Sequence, residues 1–397
     1  MNKMRFGLVG LLSVAVLLGL VLAACGAEPS PTAGPTEPPT AIPPTATLRA
    51  TFTPIAVAQA TRTPAAPTAT PSPLPTNTVV PAPTLPAETP TPAATRVAGP
   101  APKLTGYLLF PVFDTKEQTY HIYQLDLKSG EVEKYIERAS QPAVTHDGKR
   151  VAWRSWDQSQ RGLLSRPIDG ADIWTMSQFS EAARPSWSPD DQQFVFPSRQ
   201  MPDRESRIYL FTGAGDPPWI EIRRHGGPIV GRAPVLLPDG RIVYQGCEGN
   251  ACGLFVMSGD GTNPKQISIY TDDTAPAVSP DGKRIAYMSR SSGYWQVIVV
   301  NVDGTGSRRL TDDWYWNGLP VWSPDGKYLI FVSTRDENWP SNFVLSENSR
   351  FRLWVMAADG TGQRALNDFT FRLDGVPAGS QTFETLGWID ERLDWRP

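Results

Sequence analysis

The chain has little with which to do covalent chemistry. It holds three histidines and three cysteines in 397 residues. His121, His146 and His225 stand far apart, without the spacings that bring two ligands onto one metal ion. There is no His-Glu-x-x-His, no Gly-x-Ser-x-Gly and no phosphate loop. Metal-dependent hydrolysis, serine catalysis and nucleotide turnover thus lack their usual residues, and no cofactor is expected. An excess of one charge is missing too. With 37 basic and 40 acidic side chains the net charge is −3, which excludes a broad basic surface for nucleic acid. Six of the basic and three of the acidic groups precede Leu104. The remainder, at about −6, favours solubility and gives no sign of an anionic partner.

Residues 1–103 lack what a core needs. They contain no Trp or Tyr and, after Gly26, one Phe, Phe52, but 20 of the 40 prolines. All 13 tryptophans lie at or after Trp153. Burial cannot offset the entropy of ordering such a segment. Residues 25–103, with runs such as Pro38-Pro39-Thr40 and Pro71-Ser72-Pro73, are expected to be a disordered tether. Polyproline II rises about 3.1 Å per residue, so full extension would reach on the order of 200 Å. A spacer is the expected role, with an O-glycosylated stalk as the alternative because Thr stands beside Pro.

Residues 1–24 read as an address. Lys3 and Arg5 precede the apolar run Gly7 to Ala24, the pattern of a secretory signal. A retained transmembrane anchor, which needs about 20 apolar residues, is the alternative. The end of the run favours the first reading, since Leu22-Ala23-Ala24-Cys25-Gly26 resembles the lipobox of bacterial lipoproteins. That resemblance implies cleavage before Cys25 and lipid on its sulfur and new amine. It also implies an exported protein held at the outer surface of a membrane. Each buried CH₂ of such an anchor contributes about 0.8 kcal/mol.

From Leu104 onward the chain repeats one unit. Its clearest copies are Pro276-Ala277-Val278-Ser279-Pro280-Asp281-Gly282-Lys283 and Pro320-Val321-Trp322-Ser323-Pro324-Asp325-Gly326-Lys327, each followed by an apolar run. Earlier copies begin at Pro142, Pro185 and Pro234, so the leading prolines are 43, 49, 42 and 44 residues apart. A period near 40 to 50 residues marks a solenoid or a propeller. Each unit continues with a third apolar run and then a turn such as Asp303-Gly304-Thr305-Gly306 or Asp359-Gly360-Thr361-Gly362. Asp-Gly between apolar runs signals a hairpin. Four antiparallel strands per unit, arranged radially, make an all-β propeller.

These repeats resemble the WD40-like (PD40) propeller repeats of the TolB family. The resemblance covers roughly residues 104–397. It weakens where Thr145-His146 replaces Ser-Pro and where Asp191 replaces Gly. It implies a propeller and an association with envelope assemblies, but the repeat specifies architecture far better than activity. Propellers of this kind also precede serine peptidase domains. Here the chain ends at Pro397, where such a domain would begin, so no enzyme activity is expected.

Blade counting gives six. Tyr107 to Phe110, His121 to Leu125 and Val132 to Ile136 match second, third and fourth strands. The missing inner strand is expected at the other end, at Leu386-Gly387-Trp388-Ile389, closing the ring. Closure removes the sheet edges that invite aggregation.

Three site expectations follow. Cys247 and Cys252 bracket a four-residue loop, which in an exported protein reads as a disulfide clamp. The Asp-Gly-Thr-Gly turns read as hairpin punctuation, not as calcium loops, which draw several oxygens from about 12 residues. Trp314, Tyr315, Trp316, Trp339 and Phe343 lie in two loops that emerge on one face of the sixth blade. They form either a loop core or a binding patch, since Trp and Tyr dominate contact hot spots. The expected function is a non-catalytic interaction module that binds an envelope protein. The alternatives are a wall-glycan-binding module using the aromatic patch, and a propeller-type lyase or hydrolase.

Overall fold

A computed structural model describes residues 102–199, 202–213, 217–335, 349–373 and 387–397. The expectations for the signal segment, Cys25 and the tether up to residue 101 lie outside the described residues, as do those for Trp339 and Phe343. Within the described residues no helix is long and apolar enough to cross a membrane.

Six four-stranded antiparallel sheets form the six blades. Blade 2 is β4 (Ala139–Val144), β5 (Arg150–Ser155), β6 (Gly162–Pro167) and β7 (Trp174–Ser177). Blades 3 to 6 start from inner strands β8 (Ser186–Trp187), β14 (Gly231–Leu236), β18 (Thr274–Val278) and β22 (Asn317–Trp322). A small extra hairpin, Arg223–Arg224 with Gly227–Pro228, precedes blade 4 and was not expected from the repeat. The middle strands are apolar without alternation because blades pack face to face. In Arg284–Ser289, for example, Ile285, Ala286, Tyr287 and Met288 are all buried.

The repeated turn has a specific chemistry. The Ser279 hydroxyl donates to the Asp281 carboxylate at 2.5 Å and accepts the Arg284 N–H at 3.0 Å. Ser323 does the same with Asp325 and Tyr328. Ser188 repeats the pattern with Asp190 and Gln193, and Thr145 with Asp147 and Arg150. Ser and Asp thus tie the turn to itself, while Gly282 and Gly326 adopt φ of +68° there. The indoles stitch blades together: Trp187 Nε1 donates to Ala143 O and Trp322 Nε1 to Ala277 O, both at 3.0 Å.

The two weakest repeats compensate each other. Asp191, in place of the turn glycine, sits at φ +58°. Its carboxylate accepts the backbone N–H groups of His146 (2.7 Å) and Asp147 (2.9 Å) in the neighbouring blade. Proline at position 146 has no N–H to donate. The His-for-Pro and Asp-for-Gly departures therefore form one seam. Its regular counterpart is a packing contact, in which a Cβ on Gly282 would lie 3.1 Å from Pro238 Cδ.

The ring closes as expected, but with other residues. Gly387–Asp390 is a 3-10 turn, and the closing strand is β26, Asp394–Arg396, paired with β1 (Tyr107–Asp114). Trp388 is instead a core residue. It is fully buried, with ring centroids 5.1, 6.1 and 6.2 Å from those of Phe351, Trp316 and Trp295. An indole buried among three aromatics excludes more apolar surface there than on a narrow inner strand.

Candidate functional site: the two mouths of the central channel

The six inner strands surround a channel, and the C-terminal segment runs along it. Four of the inner strands carry a register shift, and the residue before each repeat proline has φ between +44° and +56°: Gln141, Arg184, Ala233, Ala275 and Leu319. Left-handed φ in a non-glycine residue costs on the order of 1 kcal/mol, so these kinks are held by their surroundings. Two of them grip the C-terminal segment. Gln141 Nε2 donates to Asp390 O at 2.9 Å, and Arg184 Nη1 to Ile389 O at 3.2 Å. Arg392 in turn donates to Pro185 O.

Four ionisable groups crowd this region: Arg184 and Glu391 are buried, and Arg392 and Asp394 are half-buried. Burial pushes the Glu391 carboxyl up to about 8, against the pull of Arg154. It pushes Asp394 up to about 6, opposed by Arg392. Burial also lowers Arg184, to about 10.

At the face of the Ser-Pro-Asp-Gly turns the channel widens into a basin of about 450 Å³, with walls from all six blades. That volume lies in the range of ligand clefts, roughly 300–1,000 Å³. Its rim carries Pro189, Pro238, Pro280 and Pro324, with Val278 and Val321 on the walls. His146 stands where the other turns carry proline, and its Nδ1 lies 2.8 Å from Asp191. The turn hydroxyls and carboxylates are engaged within the turns, so the turns offer the basin proline rings and backbone, while Arg184 and the C-terminal Glu391, Arg392, Asp394 and Arg396 also line it.

The opposite mouth is different. There Arg154, Arg184, Arg199 and Arg232 line a pocket of about 100 Å³ with Glu181 and Asp390. The sequence reading missed these arginines because they fall outside the repeat motif and come from three different blades. The signal available was positional: Arg184 occupies the pre-proline kink where three other repeats carry Ala or Leu or, once, Gln.

The expected site residues separate. Cys247 and Cys252 are cross-strand partners in the Ile242–Glu248/Ala251–Met257 hairpin and are joined by a disulfide. Trp316 is buried against Trp388, so it belongs to the core beneath the loop. Tyr315 is half-buried, and Trp314 is 63% exposed. The Asp-Gly-Thr carboxylates are used locally. Asp303 accepts both the N–H and the hydroxyl of Thr305, and Asp260 and Asp359 do the same with Thr262 and Thr361.

One cluster has the composition of a metal site: Asp114, Glu117 and His121. Its hydrogen bonding does not fit one. His121 Nδ1 accepts the Arg138 N–H at 3.0 Å, which puts the ring proton on Nε2, facing Glu117 (3.7 Å) and Asp114 (3.9 Å). A metal on Nε2 would move that proton to Nδ1, against the Arg138 N–H.

Comparison with known proteins fits this geometry. Residues 111–366 match the model of the TolB beta propeller domain. The Tol-Pal system protein TolB of Anaeromyxobacter sp. strain K is 34% identical over 120 residues, 30% of this chain and 26% of that protein. An uncharacterized peptidase of Bacillus subtilis, YuxL, is 38% identical over 213 residues, 51% of this chain and 30% of its own length. The chain therefore spans under a third of each of these two relatives. The crystal structure of TolB from Acinetobacter baumannii superposes with a TM-score of 0.53 at 18% identity, covering 64% of this chain and 62% of that one.

Proposed function

This chain belongs to the TolB beta propeller domain family, and from that premise we propose that it is an exported, lipid-anchored envelope protein whose propeller binds another envelope protein without catalysis. The observation that carries the reading is the basin on the turn face. It is large enough for a peptide segment, apolar at the rim, and built from the backbone of all six blades. Such a surface recognises an extended segment by burial and shape. The Cys247–Cys252 disulfide supports an oxidising compartment. The Leu22-Ala23-Ala24-Cys25 motif supports anchoring through Cys25, and the Tol-Pal name of one relative supports an envelope partner. A second reading, binding of wall glycan, keeps one supporting observation, the exposed Trp314 indole.

The test is photo-crosslinking in cells from position 278, on the basin wall. A discrete protein adduct is the expected result. A correctly folded variant that gives glycan adducts alone, or none, contradicts the reading.

A further inference from the structure

The arginine-lined mouth lies at the other end of the channel from the basin, and its chemistry is different in kind. Four guanidinium groups share the pocket with two carboxylates. Glu181 is engaged by Arg204 at 2.6 Å. Burial lowers the pKa of Arg154, Arg184 and Arg232, opposed by Asp390 at all three and by Glu391 at Arg154 and Arg184. Arg199 and Arg232 have no hydrogen-bond or ion-pair partner among the described residues, and the charge of Arg199 acts against that of Arg232. Arg154 is held in place by Trp156, its guanidinium carbon 4.3 Å from the ring centroid. Arg199 and Arg232, like charges without a direct counter-charge of their own, repel each other unless an anion joins them.

A second, independent observation points the same way. Ser198 lines this pocket, is 1% exposed, and its hydroxyl has no hydrogen-bond partner. The serines at the matching strand ends of other blades are satisfied. Ser155, Ser289 and Ser333 each accept a backbone N–H two residues on. A buried unpaired hydroxyl costs about 1–3 kcal/mol, and a ligand oxygen at this site would remove that cost.

We propose that this mouth binds a carboxylate group carried on an acidic peptide segment, with Arg199 and Arg232 as the principal cationic contacts and Ser198 donating to the same anion. A pocket of about 100 Å³ admits one carboxylate head, not a sugar ring. A uronic acid would also seek an open aromatic face, and the Trp156 face is covered by Arg154. The guanidinium fork matches a carboxylate in two-point geometry. This site does not depend on the basin reading, because its principal contacts, Arg199, Arg232 and Ser198, do not line the basin.

The experiment is calorimetric titration of the full-length protein in detergent with triglutamate peptide and, separately, with inorganic phosphate. Triglutamate is expected to bind saturably, more weakly as salt is raised. The Arg199→Ala/Arg232→Ala double variant is expected to weaken it about tenfold or more. Arg232→Gln alone, a change at an exposed residue, is expected to weaken it several-fold and guards against a folding defect in the double variant. No saturable binding of triglutamate overturns the proposal. So does equal affinity in wild type and both variants, or phosphate binding that triglutamate fails to displace.

Discussion

The two mouths of one channel are written by different parts of the sequence. The turn-face mouth is written by the repeat. Ser, Pro, Asp and Gly recur there because each has a task inside the turn, and what the turns leave for a partner is a ring of prolines and backbone. The opposite mouth is written by residues that do not repeat: Arg154, Arg199 and Arg232 from three blades, and the C-terminal segment held by Gln141 and Arg184. A propeller can therefore keep one face constant by its fold rules and vary the other. The overall charge of −3 conceals this, because a local excess of arginine disappears in the sum.

The sharpest way to break this division is to remove its support on the arginine side. Trp388→Ala empties a fully buried site among Phe351, Trp316 and Trp295. It should cost about 3–5 kcal/mol in denaturant unfolding. Trp316→Ala should cost a similar amount, and a loss under about 1 kcal/mol would place that indole at the surface after all. On the turn side, Asp191→Gly relieves a left-handed residue but strips the acceptor from the His146 and Asp147 N–H groups. A net loss of about 1–2 kcal/mol is expected. Adding His146→Pro should recover part of it, and strict additivity would show that the two departures are unconnected.

Between the mouths, pH is the probe. Burial raises Glu391 to about 8 and Asp394 to about 6. Over this window the folded protein keeps protons that the unfolded chain has released. Stability should therefore fall as pH rises from the ordinary carboxylate range to about 8, then level off, at up to about 1.4 kcal/mol per pH unit for each group. Glu391→Gln should flatten the part between about 6 and 8; an unchanged slope there would remove Glu391 as its source. The smallest effect belongs to Trp314→Ala. An indole 63% exposed should leave stability within about 0.5 kcal/mol, so any larger loss would mean that the loop depends on it.

Legibility in the sequence followed the same division. The blades were readable because turn chemistry and apolar runs recur with a period: the leading prolines Pro142, Pro234, Pro276 and Pro320 fall inside the observed inner strands, and Pro185 immediately precedes one. The closing strand was misplaced because Trp388 looks more like an inner strand than Asp394 and Arg396 do. Yet Trp395-Arg396-Pro397 carries the Trp-x-Pro spacing of Trp322-Ser323-Pro324, and that was the usable signal. The pairing of His146 with Asp191 was invisible because the two residues are 45 apart and each looks like decay of the repeat. The arginine mouth was hidden for the same reason: only the fold brings its residues together.

The most direct test of the central claim is hydrogen exchange of the full-length protein with and without the partner identified by crosslinking. The account predicts new protection in the turns around Ser279–Gly282 and Ser323–Gly326 and along the inner strands between them. Protection confined to the outer strands, with the basin unchanged, would contradict it.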